Sequence, residues 1–369
     1  MTPGMSLEEW QSLGQLSREL NIYGRLGKKF EHIYIYSYGL RENSYCENIS
    51  NIEVISKNSK LWLTLRPKYF KRHIEYIWNL YNIFKHRRLF KTLDIIKTNQ
   101  FKGALFGVIL KLIFKKKLVI RMGWYHSHFK KISYIEMLIE KICFHFSDFI
   151  ITTNSTAQLH ITNFYKIPQG RIKWIPNSID TDKFFPDKIK KIYDIIYVGR
   201  LEREKNPLGL LNIISSIPKQ SFKILFIGDG SQKKDIMLYA FEKNIDIEII
   251  TKVDNDSLCH YYNCSKVYMI PSLYEGNPKT LLEAMSCGLI VMGSNVHGIK
   301  EVINHGETGF LFDFDANFTD NNPAQYFEEN KETNTIKKNA RKYITKNNSL
   351  ATVVEKETKV YELIMGYDY

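Results

Sequence analysis

The chain has 369 residues, 44% apolar and 25% charged, which describes a well-cored globular protein too long for one ordinary core and makes two domains the first expectation. Its five cysteines (46, 143, 259, 264 and 287) form no C-x-x-C pair, which speaks against a disulfide framework or a zinc site and fits a reducing compartment. The formal charge is +13, all of it in residues 1–150; residues 61–130 alone carry +14 and residues 151–369 sum to zero, so one half is built to meet an anionic partner such as nucleic acid, acidic lipid headgroups or a phosphorylated substrate.

The N-terminal stretch "MTPGMSLEEWQSLG" carries acidic residues and no apolar run of the signal-peptide kind. A helix is predicted from Ser6 through "SLEEWQSLGQLSRELNIYGRL". A Rossmann-like domain normally opens on a strand, so either that strand is a stub or the true start lies upstream of Met1. Strands are predicted at 32–39, 52–56, 93–98, 117–123 and 149–154. Between the second and third, "LRPKYFKRHIEYIWNLYNIFKHRRLFKTL" places Phe70, Ile74, Ile77, Tyr81 and Phe84 at spacings of 4, 3, 4 and 3, an amphipathic helix whose apolar stripe is expected to pack on its own domain. The basic rim around it (Lys71, Arg72, Lys85, Arg87, Arg88 and Lys91) suits an anionic lipid surface in either case. The longest apolar run, 103–114, contains Lys111 and is too short to span a bilayer. The expectation is a cytosolic chain, or one attached to a membrane face.

"WIPNSIDTDKFFP" (174–186) is rich in turn residues and reads as the link between domains. Beyond it strands and helices alternate. Strands are predicted at 194–199, 222–228, 245–250, 267–272, 289–294 and 309–312. Helices are expected at 206–217, with Asn206 as N-cap and Pro207 at N1, then up to Asn244, from Asp256, at 278–287 and near 298–304. Such alternation means βαβ units and a parallel sheet, which binds ligands beyond the carboxyl ends of its strands.

Three segments project to that edge. In "SLYEGNPKTLLEAMSCG" (272–288), Pro278 suits the first turn of a helix and Gly288 its stop, which puts Glu275 in the mouth loop and Glu283 one to two turns in. "VGRLEREKN" (198–206) supplies Gly199, Arg200 and Lys205 after a strand, and the glycines Gly228 and Gly230 of "IGDGS" let backbone approach a ligand closely. Two cations, a helix N-terminus and a glycine turn describe a diphosphate site, and two carboxylates beside it accept hydrogen bonds from sugar or ribose hydroxyls.

These blocks, with "NSID", "DSLCHYYNCSKVYMIPS" and "HGIKEVINHGETGFLF", run in order over residues 174–312 and resemble the donor domain of glycosyltransferase family 4, the retaining, nucleotide-sugar-dependent transferases of the GT-B fold. The first half is similar to some members through "GMSLEEWQSLGQLSRE" and "TNQFKGALFGVILKLIFKKKLVIRMG". The resemblance implies an α/β protein of two Rossmann-like domains facing across a cleft. Residues 1–176, joined by a returning helix 351–369, would form a basic, membrane-facing acceptor domain, and residues 177–350 the donor domain. Arg200 and Lys205 would hold the donor diphosphate, Glu275 would contact the transferred sugar, and Glu283 would bind the ribose. Backbone around Gly276, Asn277, Pro278 and Lys279 would line the sugar and phosphate pocket, and Lys252 and Val253 would meet the base. Gly4 and Ser6 are candidates for the acceptor-side glycine loop of relatives.

No metal or other cofactor is implied, the cations and helix dipole taking the place of a divalent ion. The implied partners are a nucleotide sugar, a lipid-linked or oligosaccharide acceptor, and the anionic inner face of the plasma membrane, without nucleic acid. Two departures stand out. Relatives often have a His directly after the strand at 117–121, where this chain has Gly123 and Trp124, with His126 and His128 slightly later; His126 is the candidate contact. The usual Gly before Val253 is Lys252, which leaves the base open. The triplets Asp180–Asp182, Asp254–Asp256 and Asp313–Asp315 read as turn and cap residues. The rival readings are a catalytically weak sugar-nucleotide binder and a protein that binds nucleic acid or another anionic surface.

Overall fold

Residues 3–58, 71–123, 133–217, 221–313, 327–328 and 330–366 are described by the structure, a computed structural model. The chain divides into two compact units, Met1–Ile175 with Val354–Tyr369, and Pro176–Val353.

Among the described residues the first unit has the strands β1 (Ile33–Leu40), β2 (Ile52–Lys57), β3 (Ile95–Thr98), β4 (Lys117–Met122), β5 (Phe149–Thr152) and β6 (Ile172–Trp174). β1 and β2 pair in parallel, and β3-β4-β5-β6 form a parallel four-stranded sheet. Leu118, Val119 and Ile120 are all fully buried, because a parallel strand covered on both faces has no solvent side and reads as one apolar run. β6 was not anticipated.

The predicted opening helix is broken in two, Leu7–Ser12 and Leu16–Gly27, with Gly14 in the left-handed region at φ 65°. Ser6 caps the first piece by accepting the Glu9 N–H at 3.0 Å. Just before it the Met5 carbonyl accepts the Tyr38 N–H at 3.1 Å, a single ladder-like bond to β1.

The expected packing of the stripe at 77, 81 and 84 is overturned. Helix Lys71–Lys85 buries Glu75, Trp78, Asn79, Asn82 and Ile83, while Ile77, Leu80, Tyr81 and Phe84 face outward. Polar partners explain the inward face. Lys57, fully buried at the end of β2, pairs with Glu75 at 3.1 Å, and Asn79 accepts the Tyr36 and Tyr38 hydroxyls at 3.1 and 2.9 Å. Phe70 and the side chain of Ile74 lie outside the described residues.

Helix Leu350–Met365 enters the first unit at Val354. Its buried Glu357 accepts from Arg121 of β4, from Lys97 of β3 at 2.8 Å and from the Tyr361 hydroxyl at 2.9 Å. Burial pushes this carboxyl up, but the Arg121 and Lys97 charges prevail and hold it at about 2. Among the described residues no helix is long and apolar enough to cross a membrane.

The second unit is built on β7 (Tyr193–Val198), β8 (Lys223–Ile227), β9 (Asp246–Ile250), β10 (Ser265–Ile270), β11 (Ile290–Ser294) and β12 (Phe310–Phe312), all parallel in the order β12-β11-β10-β7-β8-β9. Successive residues of one strand feed opposite layers: Ile196, Leu225, Tyr268 and Val291 line one core, and Ile195, Phe226, Val267 and Met292 the other. The order reverses between β7 and β10, which opens a crevice at their carboxyl ends. The loops after these two strands carry the carboxylate Glu275 and the cations Arg200 and Lys205.

Candidate active site

Two loops meet at the switch point. After β10, Pro271 and Ser272 lead to Glu275 and Gly276, and helix Lys279–Ser286 follows. Pro278 is the N-cap, extended at ψ 115°, one position earlier than predicted, and its carbonyl accepts the Leu282 N–H at 3.3 Å. The helix stops as expected, with Gly288 at φ 71° beyond the cap Cys287. After β7, Gly199 and Arg200 lead to a short 3-10 turn, Arg203–Lys205, and helix Pro207–Ser216.

Lys205 Nζ lies 2.6 Å from Glu275 Oε1, and the Ser272 hydroxyl donates to the same oxygen at 2.8 Å. The pair joins the predicted cation loop to the predicted carboxylate loop. Neighbouring contacts brace it: the Leu273 N–H donates to the Glu204 carbonyl at 3.0 Å, and Asn206 Nδ2 to the Pro271 carbonyl at 3.2 Å. Asn206 is therefore not a side-chain N-cap. It sits in the left-handed region at φ 51° with its amide spent on the neighbouring loop, while Pro207 takes the first helical turn as predicted. Arg200 is directed elsewhere. Its guanidinium pairs with Glu204 at 2.7 Å and is 67% exposed, so it stands at the site's rim.

The glycines allow this close approach. Gly228 has φ 148°, and a Cβ there would fall 1.9 Å from the Gly199 carbonyl oxygen; Gly230 lies against Leu201 in the same way. Across the site, a Cβ on Gly298 would fall 2.3 Å from the Glu275 carbonyl oxygen, so that glycine lets the carboxylate loop pack down. The turn is completed by Glu202, which accepts the Ser231 N–H at 3.0 Å and hydroxyl at 2.6 Å, bonds that pull its carboxyl below the usual range.

Glu283 is 1% exposed. Its carboxylate accepts the Tyr262 hydroxyl at 3.1 Å and faces the Asn255 amide at 3.4 Å. Burial followed by the Glu283 charge pushes the Tyr262 hydroxyl well up, so it stays a proton donor. Asn277 is also buried, and its contacts run to the linker: the Asn177 N–H donates to Asn277 Oδ1 at 2.8 Å and Asn177 Nδ2 to the Asn277 carbonyl at 2.7 Å. Lys279 is half-buried in the first helical turn. Lys252 is exposed beyond β9, with Val253 packed against the core below it.

Elsewhere, Asp180 Oδ1 accepts the Asp182 and Lys183 backbone N–H groups at 3.2 and 3.3 Å, as a turn residue does. Gly4, at φ 84°, and Ser6, spent on its helix cap, lie in the first unit. His126, His128 and Asp315 lie outside the described residues. Two cysteines far apart in sequence meet at the far end of the carboxylate helix, with Cys259 Sγ 3.8 Å from Cys287 Sγ. The neighbouring Cys287 thiol pulls Cys259 down to about 6, while burial pushes Cys287 up.

Ser272, Asn177, Tyr262 and Gly298 were not singled out from the sequence. All four lie inside or beside the motif blocks of residues 174–312, which is the signal the sequence offers for them.

A doubly wound parallel sheet, a cation–carboxylate pair at its switch point and a second α/β unit are the marks of a GT-B glycosyltransferase. Residues 178–343 match the family described as glycosyl transferases group 1, and residues 32–183 match glycosyltransferase family 4. Together the two matches span residues 32–343 and make this a glycosyltransferase of the family 4 type. An Escherichia coli UDP-Gal:alpha-D-GlcNAc-diphosphoundecaprenol alpha-1,3-galactosyltransferase is 26% identical over 315 residues, 77% of this chain and 78% of that protein. O-antigen chain mannosyltransferase B of Escherichia coli is 30% identical over 182 residues, 44% of this chain and 47% of that protein. The structure of HepE from Anabaena in complex with UDP and glucose superposes with a TM-score of 0.72 at 15% identity, covering 93% of this chain and 95% of that one.

Proposed function

We propose that this transferase moves a sugar, of the hexose class, from a nucleotide diphosphate to a hydroxyl of a saccharide or lipid-linked acceptor, with retention at the anomeric carbon and without a metal. The observation that carries the reading is the Lys205–Glu275 pair at 2.6 Å on the carboxyl edge of β7 and β10. A diphosphate arriving at that edge offers Lys205 a second anionic partner, with Arg200 at the rim and the backbone of Gly199, Gly228 and Gly230 near enough to follow its oxygens. Glu275, held from behind by Ser272, then faces the transferred sugar. Gly276, Asn277, Pro278 and Lys279 line the phosphate side, and Lys252 and Val253 flank the base.

Glu283 is assigned to the ribose hydroxyls. Its pairing with Tyr262 keeps it oriented, and a ribose would exchange with the weaker Asn255 contact. The leaving diphosphate gains negative charge as the glycosidic bond breaks, and Lys205, Arg200 and the N-terminus of helix Lys279–Ser286 oppose that charge where a metal would do so in other enzymes. The acceptor hydroxyl attacks from the leaving-group side and passes its proton to a β-phosphate oxygen. To the acceptor side this reading assigns Gly4 and Ser6, with His126 as a contact.

Among the relatives, one is named for transfer to a diphosphoundecaprenol-linked GlcNAc and another as an O-antigen chain mannosyltransferase, which supports a role in cell-envelope polysaccharide or lipopolysaccharide synthesis. The diphosphoundecaprenol-linked acceptor in the first of these names supports a lipid-linked acceptor here, and the +14 of residues 61–130 an anionic surface; work at the inner face of the plasma membrane, without a nucleic acid partner, completes the proposal. The test is incubation with UDP-, GDP- and ADP-hexoses and a polyprenyl-diphosphate-linked saccharide in EDTA, with the product's anomeric configuration read by NMR. Transfer in EDTA with the donor's configuration kept is expected. An inverted product, or transfer only with a divalent ion, contradicts the reading.

A further inference from the structure

The first unit wears an apolar surface where a soluble domain would wear a polar one. Helix Lys71–Lys85 turns Glu75, Asn79 and Asn82 inward and leaves Ile77, Leu80, Tyr81 and Phe84 outside, Phe84 at 73% exposure. This reverses the usual amphipathic arrangement. Two further helices continue the pattern. Helix Ala104–Phe114 packs beside helix Arg87–Thr92 and helix Tyr134–Phe146. It exposes Leu112 and Ile113, while helix Tyr134–Phe146 exposes Tyr134, Ile135, Leu138 and Ile142. Exposed apolar side chains gathered on three helices of one unit exceed the scattered single residues of an ordinary surface and mark an interaction site.

The charge around it identifies the partner. From Tyr76 to Thr92 the chain has Lys85, Arg87, Arg88 and Lys91 and no acidic residue, and from Phe101 to Lys117 it has five lysines and again none. Lys85 lies 5.6 Å from the centroid of the Tyr81 ring, which places a cation at the edge of the apolar face. A second copy docked on the same face would bring these cations against their own counterparts. Nucleic acid would use the cations and leave Ile77, Leu80 and Phe84 without a role. An anionic bilayer uses both features, because apolar side chains enter below the headgroups while Lys and Arg meet the phosphates.

We propose that the outward faces of helices Lys71–Lys85, Ala104–Phe114 and Tyr134–Phe146 are a bilayer-docking surface, with Ile77, Leu80 and Phe84 as the inserting residues and Lys85, Arg87, Arg88 and Lys91 as the headgroup contacts. This deepens the membrane-linked acceptor reading and rests on it for its purpose, but not for its test. The full chain is sedimented with vesicles of phosphatidylglycerol and phosphatidylethanolamine and with vesicles of phosphatidylcholine alone. Partitioning onto the anionic vesicles is expected to be at least about tenfold stronger. Ile77→Ser with Phe84→Ser, and separately Arg87→Glu with Arg88→Glu, are each expected to weaken it about tenfold or more at an unchanged melting temperature.

Partitioning that survives the apolar pair, equal binding of single-stranded RNA by that variant and the wild type in place of vesicle binding, or a dimer that the variant dissolves would each overturn the proposal. Nucleotide titration of the same preparations reports on the donor site independently. Vesicle binding without nucleotide binding leaves this surface standing and removes the transferase mechanism.

Discussion

Glu275→Gln is expected to lower kcat about a hundredfold, or about 2.7 kcal/mol of transition-state stabilisation, the scale of one preorganised electrostatic contact. The residue is suited to such a role by its setting. Its side chain is 9% exposed, and Lys205 at 2.6 Å and Ser272 at 2.8 Å hold one oxygen, which leaves the other for the sugar. Glutamine keeps the shape and an acceptor oxygen but removes the charge that Lys205 answers. The donor KM should therefore move much less than kcat. Lys205→Ala strips the same unit from its other end, so the double variant should cost little more than the worse single one. Turnover within about threefold of wild type for Glu275→Gln would remove the carboxylate from the reaction.

Glu357→Gln is expected to destabilise the first unit by about 3 kcal/mol, the size of a carboxyl held at about 2 in place of 4.5. The variant leaves Arg121 and Lys97 beside a neutral amide, and both sit on strands of the sheet that helix Leu350–Met365 covers. The sign with pH follows from the direction of the shift. A carboxyl whose folded value is depressed contributes in full above 4.5 and loses that contribution as pH falls toward 2. Urea unfolding of the wild type should thus weaken across that window, and the variant should lose less there. Equal stability at pH 7 would show that the triad does not anchor the helix.

The parallel sheet of the second unit was legible because strands covered on both faces are continuous apolar runs, and Ile224–Ile227 and Val267–Ile270 are too short for a buried helix and end at Gly228 and Pro271. The two site loops were legible through their punctuation, the glycines at 228, 230 and 288 and the proline at 278. What stayed hidden was set by contacts distant in sequence. Asn206 looks like a cap until the Pro271 carbonyl claims its amide, and nothing local ties Asn177 to Asn277 or Cys259 to Cys287.

Helix Lys71–Lys85 shows a different limit. Apolar periodicity identifies a face and not the direction in which it points. Here the buried Lys57–Glu75 pair and the tyrosines that donate to Asn79 give the polar face its partners inside, which leaves the apolar face for something else.

The donor site is tested most directly by calorimetric titration of the protein with UDP, GDP and ADP in EDTA, beside Glu283→Ala. Stoichiometric binding of one nucleotide without metal is predicted, weakened at least about tenfold in the variant because a buried carboxylate's hydrogen bonds to the ribose are lost. Failure of the folded wild-type protein to bind any of the three would contradict the assignment of the β7–β10 edge as the donor site.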